Sequence, residues 1–124
     1  MIGLAHGLKV FVCSEPADMR RSFDGLSGMA GNLMKQDPLS GHLFVFRNRN
    51  RDRLKILYWD RDGLAIWYKR LEKGTFQFPT DLHPKEKKPA SVEITASDLS
   101  LLLGGIDLRS AYQRRRFERP GKPR

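Results

Sequence analysis

An α+β fold is expected, built as a four-stranded antiparallel meander plus an N-terminal strand, with two helices packed on one face. Three observations lead there. The stretch from Gly41 to Pro79 (GHLFVFRNRNRDRLKILYWDRDGLAIWYKRLEKGTFQFP) alternates apolar runs with short polar or glycine-bearing breaks, the pattern of consecutive hairpins. A separate apolar run, Leu8 to Cys13, precedes it. Two further segments, one before the meander and one near residue 100, carry apolar residues at helical spacing. A chain of 124 residues supports one core and not two. A single domain over residues 1–108, followed by a basic tail over 109–124, is therefore expected.

In chain order, LKVFVC (Leu8 to Cys13) reads as a buried strand that stops at Ser14-Glu15-Pro16. The first helix follows, with Ser14 or Asp18 as its N-cap and Pro16 compatible with the first turn. Its apolar positions, Met19, Phe23, Leu26, Ala30 and Leu33, are spaced by four, three, four and three, which is one helical face. Gly25, Gly28 and Gly31 each cost about 1 kcal/mol relative to Ala. Close approach of the helix to the sheet would offset this; the alternative is a break near Gly28. Asp37 to Gly41 turns the chain into the meander.

The four meander strands are Leu43 to Phe46, Arg53 to Trp59, Leu64 to Leu71 and Thr75 to Phe78. Asn48 to Asp52 is an open polar loop, and Asp62-Gly63 and Lys73-Gly74 read as tight turns in which Gly supplies φ > 0. Alternation puts Leu54, Ile56 and Tyr58 on one face of the second strand, and Arg53, Lys55, Leu57 and Trp59 on the other. On the third strand Leu64, Ile66 and Tyr68 oppose Ala65, Trp67 and Lys69. One face is thus apolar with a tyrosine edge, and the other mixes aromatics with cations. Thr80 to Ala90 is a polar surface loop, and SVEIT (Ser91 to Thr95) a short edge strand. Thr95 to Asp98 has capping-box spacing and opens the second helix, with Leu99, Leu102 and Leu103 on one face and Gly104-Gly105 as its stop. Phe23, Leu26, Leu102 and Leu103 are expected to be buried together.

Charge is the informative part of the composition. The chain has 23 Lys+Arg against 14 Asp+Glu, a net +9, which predicts a polyanionic partner. The excess sits in two places. Residues 109–124 hold seven cations against Glu118, and residues 47–55 hold five against Asp52, so the remainder is close to neutral. Arg47, Arg49, Arg51, Arg53 and Lys55 recur at period two and, if extended, form a row of donors about 6.6 Å apart suited to phosphate oxygens. Asn48 and Asn50 between them suit sugar or base edges. A charged hairpin tip is also often no more than solvated, with Asp52 pairing a neighbour. Arg114, Arg115, Arg116 and Arg119 form a second cluster of low sequence specificity. Tyr58, Trp59, Trp67 and Tyr68 supply either an aromatic docking surface or ordinary core.

Catalytic chemistry has little support. Cys13, the one cysteine, excludes an internal disulfide, suits a cytoplasmic location and reads as a buried thiol. His6, His42 and His83 lack partners at ligand spacing. Asp60, Asp62 and Glu72 are the carboxylates to weigh for a two-metal nuclease, although a turn and a strand end explain them equally. No glycine-rich phosphate loop or nucleophile elbow occurs, so no cofactor, metal or small-molecule substrate is expected. No apolar run reaches the ~20 residues of a membrane span.

The Gly41–Pro79 stretch, together with DMRRSFDGL (Asp18 to Leu26), resembles the TnpB-type accessory proteins of the sixty-six-type bacterial insertion sequences, products of the element's second open reading frame. The similarity runs from about Val10 to Ile106. It implies help in DNA transposition without strand-transfer activity, and it brings no catalytic residues. Two readings follow: a DNA-binding accessory using the 47–55 row and the tail, or a protein adaptor that docks the transposase or a sister accessory protein through Tyr58, Trp59, Trp67 and Tyr68.

Overall fold

Strand β1 (Val10–Cys13) is buried at all four positions, and both its neighbours come from distant parts of the chain. The computed structural model describes residues 7–78 and 88–104. Besides β1 it contains β2 (Leu43–Arg47), β3 (Arg53–Asp60), β4 (Gly63–Arg70) and β5 (Ser91–Ile94) in one sheet of order β4-β3-β2-β1-β5. Val10 aligns with Leu43 in a parallel β1–β2 pair and with Ile94 in an antiparallel β1–β5 pair. The β2–β3 and β3–β4 pairs are antiparallel. The α+β class and the edge position of Ser91–Ile94 are as expected; the meander has three strands, not four.

The missing strand is Thr75 to Phe78. Instead of pairing with β4, this segment folds beneath the sheet. Leu71 N–H donates to the Asp52 carbonyl at 2.8 Å, Gly74 takes φ +80°, and Phe76 N–H donates to the Arg51 carbonyl at 2.8 Å. Phe76 and Phe78 are thereby buried against Val45, Leu54 and Ile56. Burying two phenyl rings outweighs a ladder along an edge strand, since each is worth about 1.5–3 kcal/mol.

The helices lie on opposite faces of the sheet, not on one. Helix α1 (Phe23–Gly28) continues as a π-helical stretch over Met29–Leu33. Leu26, Ala30 and Met34 cover Phe11, Phe44, Phe46 and Leu57. Helix α2 (Ala96–Gly104) sets Leu99 and Leu102 on the other face, with Val10, Val12, Leu43 and Val45. Two-sided burial accounts for the unbroken apolar runs VFVC and LFVF in β1 and β2, where a half-solvated strand would alternate. The expected cluster of Phe23 with Leu26, Leu102 and Leu103 does not form. Leu26 and Leu102 sit in separate cores, and Phe23, in the first turn of α1, is 43% exposed.

Local chemistry explains the element ends. The capping box at α2 is complete: Thr95 N–H donates to Asp98 Oδ2 at 3.3 Å and Asp98 N–H to Thr95 Oγ1 at 3.0 Å. The first helix starts later than Ser14 or Asp18 would set it, with Ser22 at the N-cap position. Residues 14–22 instead follow the end of the sheet, Ala17 N–H donating to the Arg47 carbonyl at 2.7 Å. The β3–β4 loop is Arg61-Asp62, closed by the pair Asp60↔Gly63. Arg61, not Gly63, takes the positive φ (59°), and Asp62 N–H donates to the Asp60 carbonyl. Close approach to the sheet does not explain the helix glycines. A Cβ on Gly28 would meet only Asn32 Nδ2 at 3.9 Å, and one on Gly31 only the Gln36 carbonyl at 4.0 Å.

These placements set the expected responses to substitution. Leu26→Ala and Leu102→Ala should each lose about 2–5 kcal/mol of unfolding free energy in urea titrations. Phe23→Ala should stay within about 0.5 kcal/mol of the parent. Gly28→Ala, in α-helical backbone with room for the methyl, should gain about 0.4–1 kcal/mol.

Candidate nucleic-acid interface

The cationic row from Arg47 to Lys55 is split by the pleat and by the loop within it. Arg47 ends β2 on the α2 face and is only 4% exposed. Its Nη2 donates to the Ser14 carbonyl at 3.3 Å, its Nη1 to the Asn48 carbonyl at 3.2 Å, and its guanidinium lies 5.7 Å from the Phe78 ring centre. Lys55 is on the α1 face and 8% exposed. Its Nζ donates to the Met19 and Arg21 carbonyls, each at 2.8 Å, and sits 4.7 Å from the centre of the Tyr68 ring. Burial takes both cations out of the solvent-facing row and makes them fasteners of the 14–22 segment.

Between them, residues 48–52 form a closed turn. Asn48 Oδ1 accepts from the Asp52 and Arg53 N–H groups, each at 3.1 Å, while its Nδ2 donates to Asp52 Oδ1 at 2.6 Å. Arg51 adopts φ 61°. Asn48 is thus committed to its own loop. Arg49 and Asn50 are left exposed at the tip. An open cleft of about 400 Å³ separates this tip from the 16–19 stretch, with Asp18, Met19, Arg49 and Arg53 among its lining residues.

Other cations converge on the same end of the sheet. The β3–β4 register sets Arg53 directly opposite Arg70, on the α1 face with Lys55. Arg20 and Arg21 are exposed on the segment that Lys55 holds. Asp18 accepts from the Arg20 guanidinium, the shortest contact being 2.6 Å, and from the Arg20 backbone N–H. These bonds hold its carboxyl down at about 2. Arg70 Nη2 reaches Glu72 Oε1 at 3.4 Å. The result is a rim of forked cationic donors from three segments distant in sequence. Arg20, Arg21 and Arg70 were not among the sequence-derived candidates. The DMRR motif marks the first two, and strand register, which composition does not reveal, marks the third. Arg114, Arg115, Arg116 and Arg119 lie outside the described residues.

The aromatic candidates do not form one surface. Ile56 opposite Trp67 and Tyr58 opposite Ala65 put Tyr58 and Trp67 on the α2 face, where both pack against the core. Trp59 and Tyr68 are on the α1 face, and of the four only Tyr68, at 48%, is largely exposed. The carboxylates are likewise apart. Asp60 and Asp62 flank the hairpin tip, while Glu72 follows the far end of the eight-residue β4, roughly 25 Å away at strand rise. Among the described residues no group of three His, Cys, Asp or Glu side chains could hold a metal ion. His42 Nδ1 accepts from Lys9 N–H at 3.0 Å. Cys13 is buried, and desolvation pushes its thiol up from the ordinary value. No described helix is long and apolar enough to cross a membrane.

Residues 8–113, which carry the sheet, both helices and this cationic rim, match the family described as IS66 Orf2 like protein. The chain belongs to that family. Membership implies a transposition accessory protein, which confirms the resemblance seen in the central stretch. Two relatives from Sinorhizobium fredii carry the names uncharacterized protein y4jC and uncharacterized protein y4hO. The first is 36% identical over 98% of both chains. The second is 33% identical over 88% of this chain and 90% of its own. No solved structure matches.

Two measurements check the geometry of the rim in this IS66 Orf2-like protein. Replacing Arg20 by Ala should return the Asp18 carboxyl from about 2 towards 3.8, read by carboxyl-carbon NMR titration. Because that pKa is depressed by folding, the pairing stabilises above the ordinary carboxylate value and is lost as pH falls through about 2. Lys55→Met should cost about 1–3 kcal/mol, because two inward-facing carbonyls lose their donor, and should speed amide exchange across residues 17–22.

Proposed function

We propose that this protein assists transposition without catalysing it, by holding DNA phosphates on the basic end of its sheet. The observation that carries this reading is convergence. Exposed or half-exposed Arg20, Arg21, Arg49, Arg53 and Arg70 come from three separated segments, and buried Lys55 and Arg47 fix the intervening backbone. A merely solvated loop needs no such fastening. Arginine forks suit phosphate oxygens, and phosphate contacts position a protein on a duplex. The tail cations Arg114, Arg115, Arg116 and Arg119 add charge and little specificity.

A second reading rests on β4, which is an edge of the sheet and carries exposed Tyr68. A transposase or a sister accessory protein adding a strand there would make the chain an adaptor. Half-buried Tyr58, Trp59 and Trp67 would then support the edge from within.

Salt dependence of duplex binding tests the first reading. If rim and tail neutralise about five phosphates, log K falls against log salt with a slope near −4.5. Replacing Arg21 and Arg49 by Ala should make that slope shallower by about 2. Replacing Arg114, Arg115 and Arg116 should weaken all sequences alike. Full-length protein with no duplex affinity at low salt, yet with transposase binding lost on Tyr68→Asp, would replace the DNA reading with the adaptor.

A further inference from the structure

The β3–β4 ladder places two arginines where sheet chemistry argues against them. Directly opposite residues of an antiparallel pair have Cβ atoms about 4.5–5.5 Å apart, and like charges there are destabilising. Arg53 and Arg70 occupy such a rung. Lys55 stands two residues along on the same face, its ammonium turned to the Met19 and Arg21 carbonyls. The nearby acids are engaged elsewhere or weakly. Asp18 is bonded to Arg20, and Asp52 to Asn48. Glu72 reaches Arg70 alone, at 3.4 Å, with both side chains about 60% exposed. Among the described residues the Arg53 guanidinium has no hydrogen-bond or ion-pair partner.

We infer that the Arg53–Arg70 rung is a discrete phosphate site. Two guanidinium forks set on one face of one rung can close on a single tetrahedral anion, each offering N–H donors. The anion also removes the repulsion that the bare rung carries, so its binding and the stability of the sheet are coupled. This rests on the DNA reading for its source of phosphate: the rung grips one backbone phosphate while Arg20, Arg21 and Arg49 follow the strand on either side. Arg61, at the other end of β4, bears a similar charge but faces no second cation across the ladder. It therefore serves as the internal control.

The test uses full-length protein melted in sodium phosphate and in sodium chloride at equal ionic strength, together with duplex binding. Phosphate should raise the wild-type Tm by a few degrees. Arg70→Gln and Arg53→Gln should each melt no lower than wild type in chloride and lose the gain from phosphate, whereas Arg61→Gln should keep it. Each rung variant should also make the duplex salt slope shallower by about 1. A phosphate gain that survives both rung substitutions, or that falls equally in Arg61→Gln, overturns the site. Duplex binding unchanged by the rung variants, with no phosphate gain in wild type, also overturns it and leaves the DNA reading standing. A rung-dependent phosphate gain without any duplex binding upholds the site and overturns the DNA reading.

Discussion

The parallel pairing of β1 with β2 constrains nearly every other placement in this fold. Parallel neighbours cannot be joined by a tight turn, so residues 14–42 must leave the end of β1, cross one face of the sheet and return. That crossing carries α1 and the π-helical stretch and covers Phe11, Phe44 and Phe46. The opposite face then needs its own cover, which Phe76, Phe78 and α2 supply. The crossing also sets the 14–22 segment beside the end of β2 and the start of β3, where Arg47 and Lys55 donate into its carbonyls. The cationic rim is therefore a consequence of topology: it forms where the crossover leaves the sheet.

Arg47 and Lys55 look in sequence like the ends of one charged strip. In the fold they serve opposite faces of the sheet, each under an aromatic ring and each bonded to backbone oxygens. A buried cation that donates to backbone oxygens and packs its stem on apolar neighbours is tolerated, and breaking its bonds costs more than making them gained. What such a residue contributes is placement. Arg20 and Arg21, exposed on the 14–22 segment, owe their positions to two cations that are almost wholly buried.

Much of this was legible in the sequence. Apolar runs and their breaks located all five strands to within a residue or two at most ends, and Thr95 with Asp98 announced the start of α2. The choice of sheet face was less visible, because period two separates alternate residues without saying what covers each side. The clue was present in VFVC and LFVF, whose lack of alternation calls for cover on both sides. Register was the other gap. A loop of Asp62-Gly63 would have set Arg53 opposite Glu72, an ordinary cross-strand ion pair. The actual loop, Arg61-Asp62, sets it opposite Arg70. Glycine attracts the turn assignment because it takes φ > 0 at low cost, yet here Arg61 adopts that conformation, and the ladder shifts with it.

The seam between β1 and β5 joins Val10 to Ile94, so β1 takes its outer neighbour from an edge strand that lies beyond the whole β2–β3–β4 unit in sequence. The β2–β3–β4 unit is local, and its pairings require only short loops to close, whereas the seam must overcome the loop-closure entropy of most of the chain. On a ribosome β1 emerges first and waits longest for its second neighbour. Until β5 follows, Val10–Cys13 presents an apolar strand with one open edge, the form in which strands recruit the wrong partner. A product of premature termination before Ser91 would keep that edge permanently, and would be a substrate for chaperones or proteases before it could serve the element that encodes it.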